Sequence, residues 1–102
     1  MELICIHRQM GPLPPEALNK AVEVGLQFVA EPSKFVPGGK LIAAYNAQAQ
    51  GLIFCIWDVP SVDVVMPFLE QVHLMGWNTE IIPIEKMEVR MPKLKKMLAQ
   101  LE

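Results

Sequence analysis

Leu52-Ile-Phe-Cys-Ile-Trp57 is the longest unbroken apolar run in this chain, and a similar run, Leu3-Ile-Cys-Ile6, lies close to its start. In both runs the odd-numbered and the even-numbered residues are apolar. A β-strand points successive side chains to opposite faces of its sheet, so both runs are typical of strands that are buried on both faces. We therefore expect residues 2–7 and 52–57 to be the two central strands of a sheet.

Two weaker segments, residues 40–46 and 79–86, are expected to be the outer strands. The second contains Pro83, which has no N–H to donate to a neighbouring strand, so this strand should lie at an edge. Helical spacing of apolar residues predicts helices over 15–30, 62–76 and 92–102. The apolar stripes are Leu18, Ala21, Val22, Gly25, Phe28 and Val29 in the first helix, Phe68, Leu69, Val72 and Met75 in the second, and Leu94, Met97, Leu98 and Leu101 in the third.

Local residues mark the helix boundaries. Ser61 or Asp63 is expected to cap the second helix, and with Asp63 as the cap Pro67 lies in the first turn, where a proline is tolerated. Gly76 is expected to end that helix. Glycine inside a helix costs about 1 kcal/mol relative to alanine, so Gly25 is expected to serve a close approach of the first helix to the sheet.

The order β-α-β-β-α-β-α predicts one ferredoxin-like α+β domain over residues 1–102, with a core over about 1–88 and an antiparallel sheet of order 4-1-3-2. We expect right-handed crossovers to make strands 1 and 3 parallel neighbours. In that register Cys5 lies beside Cys55. His7 then lies beside Trp57 on one face, and Arg8 beside Asp58 on the other.

Composition narrows the class of protein. The 102 residues carry a formal charge of −2, with 52% hydrophobic and 20% charged residues, which is too apolar for a disordered segment. The helices of this fold cover one sheet face, so the apolar second face predicts a homodimer or higher homo-oligomer. A sequence pI of about 5.7 argues against nucleic acid as a partner.

The same composition bears on the compartment. The longest apolar run has six residues, whereas a helix needs about 20 to span a bilayer, so no membrane association is expected. The N-terminus shows no signal peptide, and Cys5 and Cys55 have neither metal-site nor disulfide-framework spacing. We expect a cytoplasmic protein with two buried, reduced thiols.

Beyond the element order, two local features carry a family resemblance: the end of strand 3 with the start of the next helix, Trp57-Asp-Val-Pro-Ser61, and strand 4 with Ile81-Ile-Pro-Ile84. With these features residues 1–88 resemble the small dimeric α+β barrels, a superfamily that includes antibiotic-biosynthesis monooxygenases and muconolactone isomerases. Several monooxygenase-like members have Glu-x-Trp in strand 3, whereas this chain has Cys55-Ile-Trp57. The resemblance implies two facing sheets, with a pocket between a sheet and its helices or inside the barrel.

Four residues are candidate ligand-binding residues: His7, Tyr45, Trp57 and Asp58. His7 and Trp57 are expected to line a pocket mouth, with His7 as a candidate base near neutral pH. Tyr45 and the neighbouring Asn46 would add a phenol and an amide. The structural alternatives are an Arg8–Asp58 ion pair and a Tyr45 that belongs to an interface.

No metal and no cofactor is expected. A closed metal site takes three or four protein ligands, and His7 and His73 are the only histidines in the chain. His73 follows Glu70 with the spacing of a Glu-x-x-His ligand pair, but further glutamate ligands are missing, so a solvated helix face is the expectation.

Two functional hypotheses follow. The first is a homodimer that binds a small organic ligand or acts as a scaffold. The second is a cofactor-free oxygenase or isomerase that acts on a small aromatic or lactone-like substrate. A regulatory amino-acid-binding module is a third, weaker hypothesis. An enzyme should bring at least two of His7, Tyr45, Asn46 and Asp58 to one enclosed volume.

The last helix has too narrow an apolar stripe to be stable alone, because isolated helices shorter than about 12–15 residues are marginal in water. We expect residues 92–102 to dock on the sheet edge or on a partner subunit.

Overall fold

The computed structural model describes residues 1–101 and contains four strands and three α-helices. In chain order these are β1 (Glu2–Gln9), α1 (Pro15–Ala30), β2 (Lys40–Ala47), β3 (Leu52–Asp58), α2 (Met66–Leu74), β4 (Trp77–Ile84) and α3 (Met87–Gln100), with short 3-10 turns at Pro32–Lys34, Gln48–Gln50 and Val62–Val64.

The strands form one antiparallel sheet in the order β2-β3-β1-β4, which confirms the ferredoxin-like α+β fold and its strand order. The expectation that strands 1 and 3 are parallel was wrong, because β1 and β3 pair antiparallel. The crossover through α1 relates β1 to β2, and the hairpin from β2 returns β3 between them in the opposite direction.

The register confirms that Cys5 lies opposite Cys55 but changes every other expected pair. Trp57 lies opposite Leu3, and His7 lies opposite Ile53. His7 therefore does not lie beside Trp57, nor Arg8 beside Asp58. Arg8 instead pairs with Leu52, and Asp58 lies near the amino group of Met1 at 3.3 Å.

One sheet face carries the core. Alternate residues of β1 and β3 point towards the helices, and Leu3, Cys5, Cys55 and Trp57 are buried there. Trp57 packs edge-on against Phe28 of α1 at 5.6 Å between ring centroids, and Phe28 stacks on Phe68 of α2 at 5.2 Å. These contacts tie both helices to the sheet, and truncating a buried aromatic of this kind to alanine costs about 3–5 kcal/mol.

Helix α1 presents a different side to the sheet from the one expected. Phe28 is buried and Ala21 and Val24 are half-buried, whereas Leu18, Val22 and Val29 are exposed. The apolar residues of α1 lie on more than one side of the helix, and the sheet covers only some of them. Gly25 does not serve a close approach, because a Cβ at this position would meet nothing within 4 Å.

The boundaries of α2 agree only in part with those expected from the capping, proline and glycine residues. Pro67 lies in the first turn as expected, but neither Ser61 nor Asp63 caps the helix with its side chain, and Val62–Val64 form a separate 3-10 turn. Gly76 has φ +97°, a left-handed conformation that favours glycine and lets β4 begin at Trp77.

Helix α3 projects from the rest of the chain. It begins at Met87 rather than near Pro92, which lies inside the helix, and none of its residues is buried. The Cα radius of gyration is 16.6 Å, against about 13 Å for a compact domain of this length. An ion pair between Lys93 and Glu85 at 2.9 Å joins α3 to the segment after β4, and the expected docking on the sheet edge is not seen.

The second sheet face lacks a helical layer within residues 1–101. Ile4, Ile6, Phe54 and Ile56 of the central strands point to this side and are half-buried, while Ile82 and Tyr45 of the outer strands are exposed. We call this surface the open face. Among the described helices, none has the length and apolar character needed to cross a membrane.

The buried cysteines lead to the first prediction. Burial raises the pKa of the Cys5 thiol to about 11 and that of Cys55 to about 12, and the adjacent Cys5 thiol adds to the shift of Cys55. The thiolate is the reactive form, so a disulfide reagent at pH 7.5 should label the folded protein at least about a hundredfold more slowly than the unfolded chain. A cysteine placed on exposed helix surface by Gln27→Cys should react at once. Rapid labelling of both native thiols would contradict the burial.

Candidate functional site

A cavity of about 110 Å³ lies between the helices and the His7 end of the helix-facing sheet surface. Its walls are almost entirely apolar and come from both helices, the two central strands and the start of β4. The lining residues are His7, Ala21, Val24, Gly25, Phe28, Ile53, Cys55, Phe68, Val72, Met75 and Trp77. The cavity is partly open to solvent, and a concave, mostly apolar space with a polar side chain in its wall has the character of a small-molecule site.

His7 and Cys55 are the ionisable side chains among those walls, and His7 is 3% exposed. It faces the cavity because it shares a strand face with Leu3 and Cys5. Its Nδ1 lies 2.7 Å from Oγ1 of Thr79, the residue opposite His7 on β4. The ring also packs edge-on against Phe68 at 5.8 Å between centroids, so both its position and its orientation are constrained.

Burial keeps this imidazole neutral. Desolvation lowers the pKa of His7 from 6.5 to about 4, because the charged ring would lose its hydration without gaining a carboxylate partner. At pH 7 one ring nitrogen is therefore a donor and the other an acceptor.

The second ring nitrogen, Nε2, is buried and has no hydrogen-bond partner within the described residues. An unpaired polar atom in the interior costs about 1–3 kcal/mol. Threonine can donate or accept, so the Thr79 contact allows either tautomer. Nε2 is accordingly an acceptor in one tautomer and a donor in the other.

Trp57 is fully buried in the aromatic core and does not line the cavity. Phe28 and Phe68, which do line it, lie against the indole with centroid distances of 5.6 and 6.3 Å. The expected pocket mouth made by His7 and Trp57 therefore does not form, because the antiparallel register separates the two residues along the sheet. The indole Nε1 of Trp57 is also buried without a hydrogen-bond partner among residues 1–101.

The other candidates lie away from this cavity. Tyr45 is on the open face and 65% exposed, and Asp58 is exposed at the opposite end of β3. Asn46 lies opposite Ile53 but is exposed on the outer strand. Of the four polar residues considered together, the structure brings His7 alone to this cavity.

Of the residues that line this cavity, the sequence predicted His7 alone as a site residue, and three of the missed residues lie around β4. Thr79 holds His7, while Met75 and Trp77 form the wall near the start of β4. The predicted strand began only at Thr79, yet Trp77, Thr79 and Ile81 alternate along β4 and share one face. That period-2 pattern of large or β-branched residues was the available signal.

His73 is exposed near the end of α2, and in the described part of the chain no three side chains among His, Cys, Asp and Glu are grouped as metal ligands. Cys5 and Cys55 are free and buried side by side.

Comparisons with known proteins give structural similarity at low sequence identity. Protein SCO4226 from Streptomyces coelicolor is 20% identical, with 84% of this chain and 100% of that chain covered and a TM-score of 0.46. Rv0793 from Mycobacterium tuberculosis is 15% identical, with 85% and 99% covered and a TM-score of 0.47. Atu4242 from Agrobacterium tumefaciens is 12% identical, with 85% and 96% covered and a TM-score of 0.45.

No family model and no curated protein matches the chain. These values assign neither a family nor an activity, so the function has to be inferred from the site itself.

The His7 environment predicts a specific dependence of stability on pH. The native pKa of His7, about 4, lies below the 6.5 of an unfolded chain, so the unfolded state takes up the proton first as the pH falls. The contribution of His7 to the free energy of unfolding is complete above pH 6.5. Between pH 6.5 and 4 the free energy of unfolding should fall by up to about 3 kcal/mol because of this group, and below pH 4 the group should cause no further change.

Urea unfolding of the wild type and of His7→Leu/Thr79→Val at several pH values measures this effect. The double variant removes both hydrogen-bonding partners and should flatten the profile between pH 6.5 and 4, whereas His73→Gln should keep it. A wild-type profile that is flat across this range would show that His7 is not buried in its neutral form.

Proposed function

We propose that this protein is a homodimeric α+β barrel that binds a small organic molecule, a single ring bearing a hydroxyl group, in the cavity beside His7. The observation that carries the proposal is the unpartnered Nε2 of a buried, neutral histidine in an otherwise apolar cavity. A ligand hydroxyl supplies the missing hydrogen bond, and its ring fills the space between the helices and the sheet.

The size of the cavity limits the ligand. An apolar cavity of about 150 Å³ in another protein accepts benzene, and the cavity here is of similar but smaller volume, about 110 Å³. Gly25 leaves a gap in the wall formed by α1, because no atom stands within 4 Å of where its side chain would begin. The space beside His7 therefore has room for about one six-membered ring, and a larger molecule would extend from the open side of the cavity into solvent.

The hydroxyl follows from the two tautomers of His7. If Nδ1 donates to Thr79, Nε2 presents a lone pair and the ligand must donate. If the Thr79 hydroxyl donates to Nδ1, Nε2 presents an N–H and the ligand must accept. A hydroxyl group meets both requirements, whereas a ketone can only accept and a protonated amine can only donate.

Binding is favoured over catalysis. A cofactor-free oxygenase or isomerase needs several polar groups around its substrate, and His7 is the one residue of the four candidates at this cavity. A histidine whose pKa is lowered to about 4 is also a weak base at neutral pH. The enzymatic alternative therefore lacks a second functional group.

The homodimer is supported by the open face. Four strands about 4.8 Å apart and about 24 Å long give it a flat footprint of about 450 Å². Side chains protrude from this flat footprint, so the accessible area of the open face is larger than the footprint. A standard interface buries roughly 800 Å² per partner. The centre of the open face consists of Ile4, Ile6, Phe54 and Ile56, and a symmetric copy presents the same apolar residues in return.

A reducing, cytoplasmic setting is part of the proposal. Cys5 and Cys55 lie directly opposite each other on neighbouring strands, at a spacing that a disulfide can bridge, and both are free thiols.

Calorimetric titration with phenol and benzene tests the ligand class. A net hydrogen bond of about 0.5–1.5 kcal/mol predicts that phenol binds about threefold to tenfold more tightly than benzene. His7→Leu should abolish this preference while benzene still binds. Ala21→Leu adds three carbons to a cavity wall and should abolish binding of both probes.

Ala30→Leu is the matched control, because it makes the same change at an exposed position of the same helix. It should bind both probes as the wild type does. Absence of binding by the wild type, together with an intact dimer, would leave a scaffold as the function.

Sedimentation equilibrium tests the dimer. Ile56→Glu places a charge at the centre of the open face and should weaken association at least about a hundredfold, because a buried, unpaired carboxylate costs several kcal/mol. Leu74→Glu, at an exposed position of α2, should leave association unchanged. If Ile56→Glu associates like the wild type, the open face is not the interface.

A further inference from the structure

Within residues 1–101, helix α3 is joined to the rest of the chain by the Lys93–Glu85 ion pair but has no buried packing surface. It spans 14 residues and buries none of them. Isolated helices of about 12–15 residues are marginal in water even with favourable sequences, and α3 contains Pro92, which removes one backbone hydrogen bond. A stable α3 therefore requires a surface that covers its apolar side.

The apolar side of α3 has the spacing of a coiled-coil seam. Five residues follow one another in steps of four, three, four and three: Met87, Met91, Leu94, Leu98 and Leu101. Met87, Met91, Leu98 and Leu101 are exposed and Leu94 is half-buried. A 4-3 repeat over two heptads favours pairing with another helix of the same periodicity, and a second copy of α3 provides it.

The charges beside the seam select one arrangement of two such helices. In a parallel pair, Arg90 of one copy faces Lys95 of the other, which is repulsive. In an antiparallel pair with Leu94 opposite Leu98 of the second copy, Lys95 faces its own equivalent. Shifting the antiparallel pair so that Met91 lies opposite Leu94 of the second copy places Glu88 beside Lys95 of that copy, and symmetry repeats this attractive contact.

We propose that α3 pairs antiparallel with α3 of a second copy of this chain, with Met91 opposite Leu94 and with Glu88 beside Lys95 across the interface. This surface is separate from both the ligand cavity and the open face.

The intrachain contact of α3 is compatible with this pairing. Lys93, which binds Glu85 at 2.9 Å, lies on the side of the helix away from the seam. The same contact lowers the pKa of Glu85, chiefly through the Lys93 hydrogen bond. It holds the first turns of α3 close to the end of β4 and leaves the seam free.

Charge reversal across the interface provides the experiment. Glu88→Lys and Lys95→Glu each create two like-charge contacts, so each should weaken association about tenfold in sedimentation equilibrium at 50 mM salt. The double variant E88K/K95E restores opposite charges and should associate within about threefold of the wild type. Within one helix these residues lie two turns apart, about 10.5 Å, so an intrahelical ion pair cannot produce the recovery.

Lys96→Glu serves as the control, since it reverses a charge of α3 on the side away from the seam and should leave association unchanged. Leu94→Asp, in the seam, should weaken association more than either single charge reversal does. Circular dichroism of each variant verifies that the sheet is retained.

The outcomes are distinct. Failure of the double variant to recover, or equal effects of Lys96→Glu and Lys95→Glu, would overturn the antiparallel pair. Recruitment of a monomeric wild type to vesicles of phosphatidylcholine and phosphatidylserine would assign the seam to a lipid surface and would also overturn it. The charge reversals are therefore also measured in the Ile56→Glu background, where the open face no longer associates, so that the two contacts can fail independently.

Discussion

Strands β1 and β3 run antiparallel through the middle of the sheet with Cys5 opposite Cys55, and the rest of the molecule is arranged around this pairing. It directs Leu3, Cys5 and His7 to the helices and leaves the alternate isoleucines on the open face. It also places Trp57 opposite Leu3, so the indole and the imidazole of His7 lie about four residues, or 13 Å, apart along the sheet. One end of the helix-facing surface is consequently an aromatic core and the other end a cavity.

The helix layer explains why the space beside His7 remains unfilled. Phe28 stacks on Phe68, and this pair sets the distance of both helices from the sheet at the Trp57 end. Towards the other end the residues of α1 are small: Ala21 contributes one methyl group and Gly25 contributes none. The small residues Ala21 and Gly25 of α1 leave the space between this helix and the sheet beside His7 unfilled.

Sequence periodicity predicted which strands are central and which residues share a sheet face, but it did not predict which residues lie at the same end of the sheet. The two doubly apolar runs and the proline in β4 identified the central and edge strands, since burial depends on side-chain type. The alternation of a strand is the same whichever way the chain runs, so it assigned His7 and Trp57 correctly to one face but wrongly to one end. The hairpin between β2 and β3, which reverses β3, was the missing constraint. In α1 the apolar arc is wider than the surface that covers it, so Leu18 and Phe28 look equivalent in the sequence although one is exposed and the other buried.

In the proposed binding function, a ligand removes the structural cost of the unpaired His7 nitrogen. Domains of this size are stable by about 5–15 kcal/mol, and a buried polar atom without a partner consumes about 1–3 kcal/mol of that margin. The surrounding cavity adds a further loss of packing. A leucine at position 7 with a valine at position 79 would avoid the polar part of this loss in the same fold. Local violations of good packing of this kind occur mainly at functional sites, where the missing partner arrives from outside the chain. In the proposed function His7 and Thr79 act together, because the Thr79 contact fixes the ring whose Nε2 has no partner among residues 1–101.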